Sequence, residues 1–159
     1  MKTTQLATLY LTCLLSILPV AASAEPYIIS ADGSEVTDQK TGLIWRRCAE
    51  GMVFSSGTCT GTASTFTHEA AFLHAAVQAS SAGIAWHLPN IREYASIANK
   101  KSSPTRLAAF PNTPVGWFWS SSPGTGKSVG TWRAAFFNGD VSTRFHANTL
   151  HVRLVRFGL

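Results

Sequence analysis

The chain has 159 residues, 45% of them hydrophobic, only 13% charged and 11% aromatic, with a mean hydropathy of +0.10. This excludes a disordered chain and suits one ordinary domain. The absence of a 20–50-residue repeat, a Gly-X-Y run or a heptad series excludes solenoids, propellers, collagen-like stalks and coiled coils.

The first segment is a targeting signal by pattern. Lys2 precedes an apolar stretch, Leu6 to Val20, and Ala22-Ser23-Ala24 is a small-x-small cleavage site. The stretch is short for a membrane-spanning helix, which needs about 20 apolar residues. Residues 1–24 therefore read as a signal peptide, with Cys13 removed, and residues 25–159 as a single exported domain with no membrane span. That domain keeps 12 basic residues against 8 acidic ones, a formal charge of +4. A modest positive charge favours anionic partners, or serves solubility alone.

Strand signals come next. Tyr27-Ile28-Ile29, Glu35 to Asp38 and Leu43-Ile44-Trp45 are separated by turn residues at Asp32-Gly33 and Lys40-Thr41-Gly42, which predicts a β-meander. Cys48 and Cys59 are the cysteines left after maturation, and in an exported chain such a pair reads as a disulfide. Closing that 12-residue loop is worth roughly 2.5–3 kcal/mol of chain entropy. The alternative, a metal pair, has poor spacing, and no metal or cofactor is expected. Gly51 to Gly61 reads as a pinned loop.

Two helices follow. The first starts at Thr67 as N-cap, has Glu69 in its first turn, and carries an apolar stripe of Phe72, Leu73, Ala76 and Val77; Ser80-Ser81 and Gly83 end it. His74 lies off the stripe and is expected in solvent. The second starts at Asn90 with Glu93 in a capping box, then Ile91, Tyr94, Ala95 and Ala98, with Asn99-Lys100-Lys101 at its end. Ser102 to Pro114 is a loop with Phe110 as anchor.

The remainder is β-rich. Trp117-Phe118-Trp119 opens a strand that Ser120-Ser121-Ser122 closes. Asn138-Gly139 joins the run ending at Phe137 to Val141–Phe145 as a hairpin, and His151 to Arg156 reads as a closing strand.

Taken together, Asp38-x-x-Thr41-Gly42-Leu43-Ile44-Trp45, the Cys48/Cys59 pair, Trp86-His87-Leu88-Pro89-Asn90-x-x-Glu93, Phe110-Pro111-Asn112-Thr113, Phe118-Trp119-Ser120-Ser121-Ser122 and Val152-Arg153-Leu154-Val155-Arg156 resemble the bacterial domain-of-unknown-function family typified by the C-terminal domain of the Legionella collagen-like adhesin. The resemblance runs from about Asp32 to Arg156. It implies a compact α+β, C-type-lectin-like domain, distantly similar to formylglycine-generating enzymes, with two helices beside antiparallel sheet and the terminal strands close together. It also implies a role in adhesion. His87 stands where the family usually has Arg, and the stalk that would imply a trimer is missing, so the oligomeric state stays open.

Catalysis finds little support. The cysteines look paired, no Gly-x-Ser-x-Gly elbow surrounds Ser120–Ser122, and no carboxylate pair stands out. Leu88-Pro89-Asn90 lacks the acid of a calcium-dependent sugar motif. Nucleic acid fits poorly, for want of charge and motif. Arg133 and Arg144 flank the hairpin, and Arg153 and Arg156 lie on the closing strand with His146 and His151 nearby. If they share a face they form a basic strip beside Trp117, Trp119 and Trp132, suited to sulfate or carboxylate groups on a sugar. The candidate binding residues are thus Arg133, Arg144, Arg153, His151, Trp119 and Trp132, for an extracellular anionic polysaccharide in the periplasm or outside the cell. The other reading is an envelope- or pilus-associated structural protein that docks without glycan.

Overall fold

The computed structural model describes residues 26–98, 108–124, 130–136, 138–144 and 148–158. The predicted signal peptide, the predicted end of the second helix at 99–101, and His146 lie outside these residues. No helix among them is long and apolar enough to cross a membrane.

The architecture is α+β. Strands β1 (Tyr27–Ile29), β2 (Glu35–Asp38) and β3 (Leu43–Arg46) form the expected meander. Its turns are set by side chains. Asp32 accepts hydrogen bonds from the hydroxyls of Ser30 and Ser34, both at 2.6 Å, and from the Ser34 amide, which hold its carboxyl down to about 2. Asp38 is buried, accepts from the Lys40 amide and the Thr41 hydroxyl (2.7 Å), and so folds the turn into Gly42 at φ 72°.

The segment expected as a loop is instead a hairpin of β4 (Val53–Ser55) and β5 (Thr58–Thr60). Ser56 and Gly57 both take positive φ, the geometry of a two-residue turn that matches strand twist. The Cys48–Cys59 disulfide ties this hairpin to the end of β3. Short β6 (Thr65–Phe66) leads into α1 (His68–Ala82) and then α2 (Ile91–Ile97). Beyond them lie β7 (Trp117–Pro123), β8 (Thr131–Ala135), β9 (Val141–Arg144), β10 (Leu150–His151) and β11 (Val155–Phe157). One sheet has the order β1-β2-β3-β11 and a second β6-β10-β7-β8-β9; β4-β5 stands apart. Most pairings are antiparallel, and β10 pairs with β7 in parallel.

Both helix starts follow the sequence. The Thr67 hydroxyl accepts from the Ala70 amide, and Gly83 at φ 63° ends α1. Asn90 accepts from the Arg92 and Glu93 amides, while Glu93 accepts from the Asn90 amide at 2.8 Å.

The face that α1 buries differs from the expectation. Ala71 and Ala75 are buried, whereas Phe72, Leu73 and Val77 are 44%, 67% and 52% exposed. The reason is space. The helix lies over a layer already filled by Trp86, Leu88, Trp119, Val152 and Leu154, and only methyl groups fit between. A second core joins Val36, Trp45, Tyr94, Ile97, Phe110, Phe118 and Phe136.

The expected closing strand is also broken in two. Val152, Arg153, Leu154 and Val155 are each fully buried. A regular strand with one solvent face alternates inside and outside. Here the chain crosses between the sheets, from β10 to β11, and neighbouring side chains enter different parts of the interior.

Candidate functional site

The hairpin β8–β9 holds what survives of the predicted strip. Arg133 pairs across the ladder with Ser142 and with Trp119 on β7, and Thr131 pairs with Arg144. Residues two apart share a face, so the backbone register puts Arg133 and Arg144 on one side as diagonal neighbours, typically about 7–8 Å apart. The Arg133 guanidinium lies over the Trp117 ring at 3.9 Å from its centroid. Trp132, in register with Thr143, is half-buried on the opposite face. His151 sits at the parallel pairing with Phe118; its Nδ1 donates to the Ser64 carbonyl at 3.2 Å, and its ring lies 5.4 Å from that of Phe118.

Two predicted strip residues are buried, Trp119 on the same sheet face as its ladder partner Arg133. Trp119 has no exposed surface; it packs beneath α1, and its indole N–H donates to the Phe66 carbonyl at 2.7 Å. Arg153 is also wholly buried, because it belongs to the crossing segment. Its Nη1 donates to the backbone carbonyls of Arg46 (2.8 Å) and Arg47, and Nη2 donates to the Thr113 hydroxyl at 2.8 Å. The rings of Phe110, Phe136 and Phe118 surround it at 5.0, 4.9 and 5.9 Å. Arg153 therefore ties three segments together from inside. It reaches no external ligand.

Two hydroxyls of the serine run, those of Ser120 and Ser122, are engaged by backbone. The Ser120 hydroxyl is buried and accepts from the Ser122 amide, and the Ser122 hydroxyl accepts from the Ile91 amide at the start of α2. His68 Nε2 donates to the Ser120 carbonyl at 3.1 Å. Among the described residues, no group of three His, Cys, Asp or Glu is placed to hold a metal ion.

A cleft of about 590 Å³ opens between the disulfide-linked hairpin, the edge of β2–β3 and α1. At its base Glu50, 5% exposed, is fixed from two sides: Arg46 Nη1 donates to it at 3.1 Å and His74 Nε2 at 2.6 Å. Contrary to the expectation of a solvent-facing residue, His74 is half-buried, and its ring lies 4.7 Å from Phe66. Glu35 also lines the cleft and pairs with Arg156 at 2.7 Å. The guanidinium groups of Arg46 and Arg156 lie 5.1 and 5.5 Å from the Trp86 ring. Sequence reasoning missed this cluster. Glu35 opens a predicted strand, and nothing local marks Glu50 as a buried acid. The useful signal was the off-stripe position of His74, once the buried face of α1 is known.

A family model described as the Lcl C-terminal domain matches residues 34–156. The chain belongs to this family. No curated protein matches it. Within the matched span, the segments that carried the resemblance build the fold: the Asp38 turn, buried Trp45, the Asn90 cap, Phe110, Thr113 and Arg153.

His87, within the matched span, has a defined partner. Its Nε2 donates to Glu93 Oε1 at 3.2 Å, and its ring stacks on Phe157 at 5.3 Å. The hydrogen bond to Glu93 raises the His87 pKa against the opposing effect of burial. Burial pushes Glu93 up, but the His87 and Asn90 hydrogen bonds outweigh it and leave that carboxyl lowered.

Proposed function

We propose that this chain is an exported, non-catalytic binding module for an extracellular anionic polymer such as a sulfated or acidic glycan, acting in the periplasm or outside the cell. One observation carries the reading: the Arg133 guanidinium lies over the Trp117 ring, 3.9 Å from its centroid, on the strand face whose register also takes Arg144. Stacking holds the guanidinium plane in place, so its fork meets a sulfate or carboxylate with less entropy to lose. The disulfide supports export, since such bonds persist in oxidising compartments. We read the fold as C-type-lectin-like, supported by two helices beside antiparallel sheets and by the first and last strands sharing one sheet. The non-catalytic part is supported by the Ser120 and Ser122 hydroxyls, which accept from backbone amides, and by Glu35 and Glu50, each engaged by a guanidinium.

The test is retention of the purified protein on a heparin column in a salt gradient, with and without Arg133→Ala and Arg144→Ala together. Retention above a charge-matched control that disappears in the double variant supports the reading. Elution with the control refutes it. A second reading, an envelope protein docked through apolar surface, is favoured by the exposed side chains of Phe72, Leu73 and Val77 on α1. Binding to an envelope fraction that ignores salt and is lost in Leu73→Ser would support it.

A further inference from the structure

We propose that the cleft at Glu50 is a second binding site, separate from the sheet face, and that it takes one uncharged sugar ring. Its volume of about 590 Å³ falls within the usual range for small-molecule sites, ~300–1,000 Å³. Its polar groups are already in position. Glu50 is held by Arg46 from β3 and by His74 from α1, so its oxygens have a fixed direction before any ligand arrives. A buried acceptor locked by two donors on different elements is a preorganised anchor.

Charge selects the class. The two guanidinium groups around Trp86 are matched by two carboxylates, Arg46 with Glu50 and Arg156 with Glu35. An entering anion would meet Glu35 and Glu50, and an entering cation would meet Arg46. Neighbouring sugar hydroxyls both donate and accept, so they suit a wall where acceptors and donors alternate. Gln78 on α1 lines the same wall and adds an amide. The lining also has apolar members. Phe54, Met52 and Ile84 are half-buried there, and offer surface for the C–H face of a ring. The Phe54 ring is held by Arg47, whose guanidinium lies 4.1 Å from its centroid.

The experiment is a ¹H–¹⁵N NMR titration of the protein with D-glucose, D-galactose and N-acetyl-D-glucosamine, each up to millimolar excess, with sodium acetate and sodium sulfate as controls. At least one sugar is expected to give saturable shifts grouped at Glu50, His74, Gln78 and the Trp86 indole. Gln78→Trp should fill the cleft from the helix side and abolish those shifts, while its spectrum stays folded and its heparin elution stays that of the parent. Glu50→Gln should weaken the sugar at least tenfold. The proposal is overturned if none of the three sugars shifts these resonances, if the shifts persist in Gln78→Trp, or if acetate or sulfate shifts them and the sugars do not. Gln78→Trp does not disturb the Glu50 pairings, so it remains informative even where Glu50→Gln fails to fold.

Discussion

Arg153→Met removes a charge that touches no solvent and keeps most of the side chain's length. In the parent, the guanidinium satisfies the carbonyls of Arg46 and Arg47 and the hydroxyl of Thr113. A buried acceptor left without its donor costs about 1–3 kcal/mol, and two carbonyls are left here. Against that, the interior no longer holds a desolvated cation, and a thioether packs well among phenylalanine rings. The balance is a loss of about 2–4 kcal/mol. Arg153→Ala adds a void between Phe110 and Phe136 and should lose about 1–2 kcal/mol more. Urea unfolding followed by tryptophan fluorescence reads this directly. With a slope of about 2 kcal/mol per molar, Arg153→Met should lower the midpoint by roughly 1–2 M. Heparin elution below the transition should be unchanged. A midpoint within about 0.3 M of the parent, or a stable variant that elutes early, would refute the caged role and return Arg153 to the binding face.

Three further expectations follow from the same geometry. Leu73→Ser should change stability by less than about 0.5 kcal/mol, whereas Ala75→Leu, one turn-face away, should lose about 1–3 kcal/mol by overpacking against the tryptophan layer; thermal unfolding separates the two. Cys48→Ser with Cys59→Ser should lower stability by roughly 2.5–3 kcal/mol, measured as the urea midpoint. The His87–Glu93 pair should give stability that is complete below the ordinary histidine value of 6.5 and lost as pH rises through the raised value in the folded protein. His87→Arg should flatten the midpoint over that window, and an unchanged pH profile in that variant would sink the assignment.

Local chemistry made much of the fold legible. Asp38, Thr67, Asn90 and Glu93 work through neighbours within four residues, so the sequence alone carries their geometry. The disulfide was legible because Cys48 and Cys59 are the two cysteines that follow the predicted signal peptide. What could not be read depends on what sits opposite. Phe72, Leu73 and Val77 have helical spacing, but Trp86 and Trp119 occupy the volume they would need, and Ala71 and Ala75 take the inner face. Arg153 looked like an alternating strand residue because nothing nearby shows that the chain crosses between sheets there. The Glu50 cluster joins residues 24 positions apart across helix and loop, and only the folded chain brings them together. For Arg133 and Arg144 the Asn138-Gly139 signal marked the hairpin but not its register: a two-residue turn there would set Arg133 directly opposite Arg144, whereas the ladder pairs Arg133 with Ser142 and Thr131 with Arg144.

The crossing segment also constrains how the molecule can be made. β11 pairs with β3, and Arg156 meets Glu35 across 121 positions of sequence. Val152 and Leu154 complete one core while Val155 completes the other. Until this stretch emerges, β3 presents an open edge and both cores lack a wall. Such distant pairings are slow to form, and unpaired edges invite association with other chains. Folding must therefore wait for nearly the whole chain. A product cut short before Val152 would be left with a half-built interior and a free strand, so proteolysis or aggregation, and not a smaller working domain, is its fate.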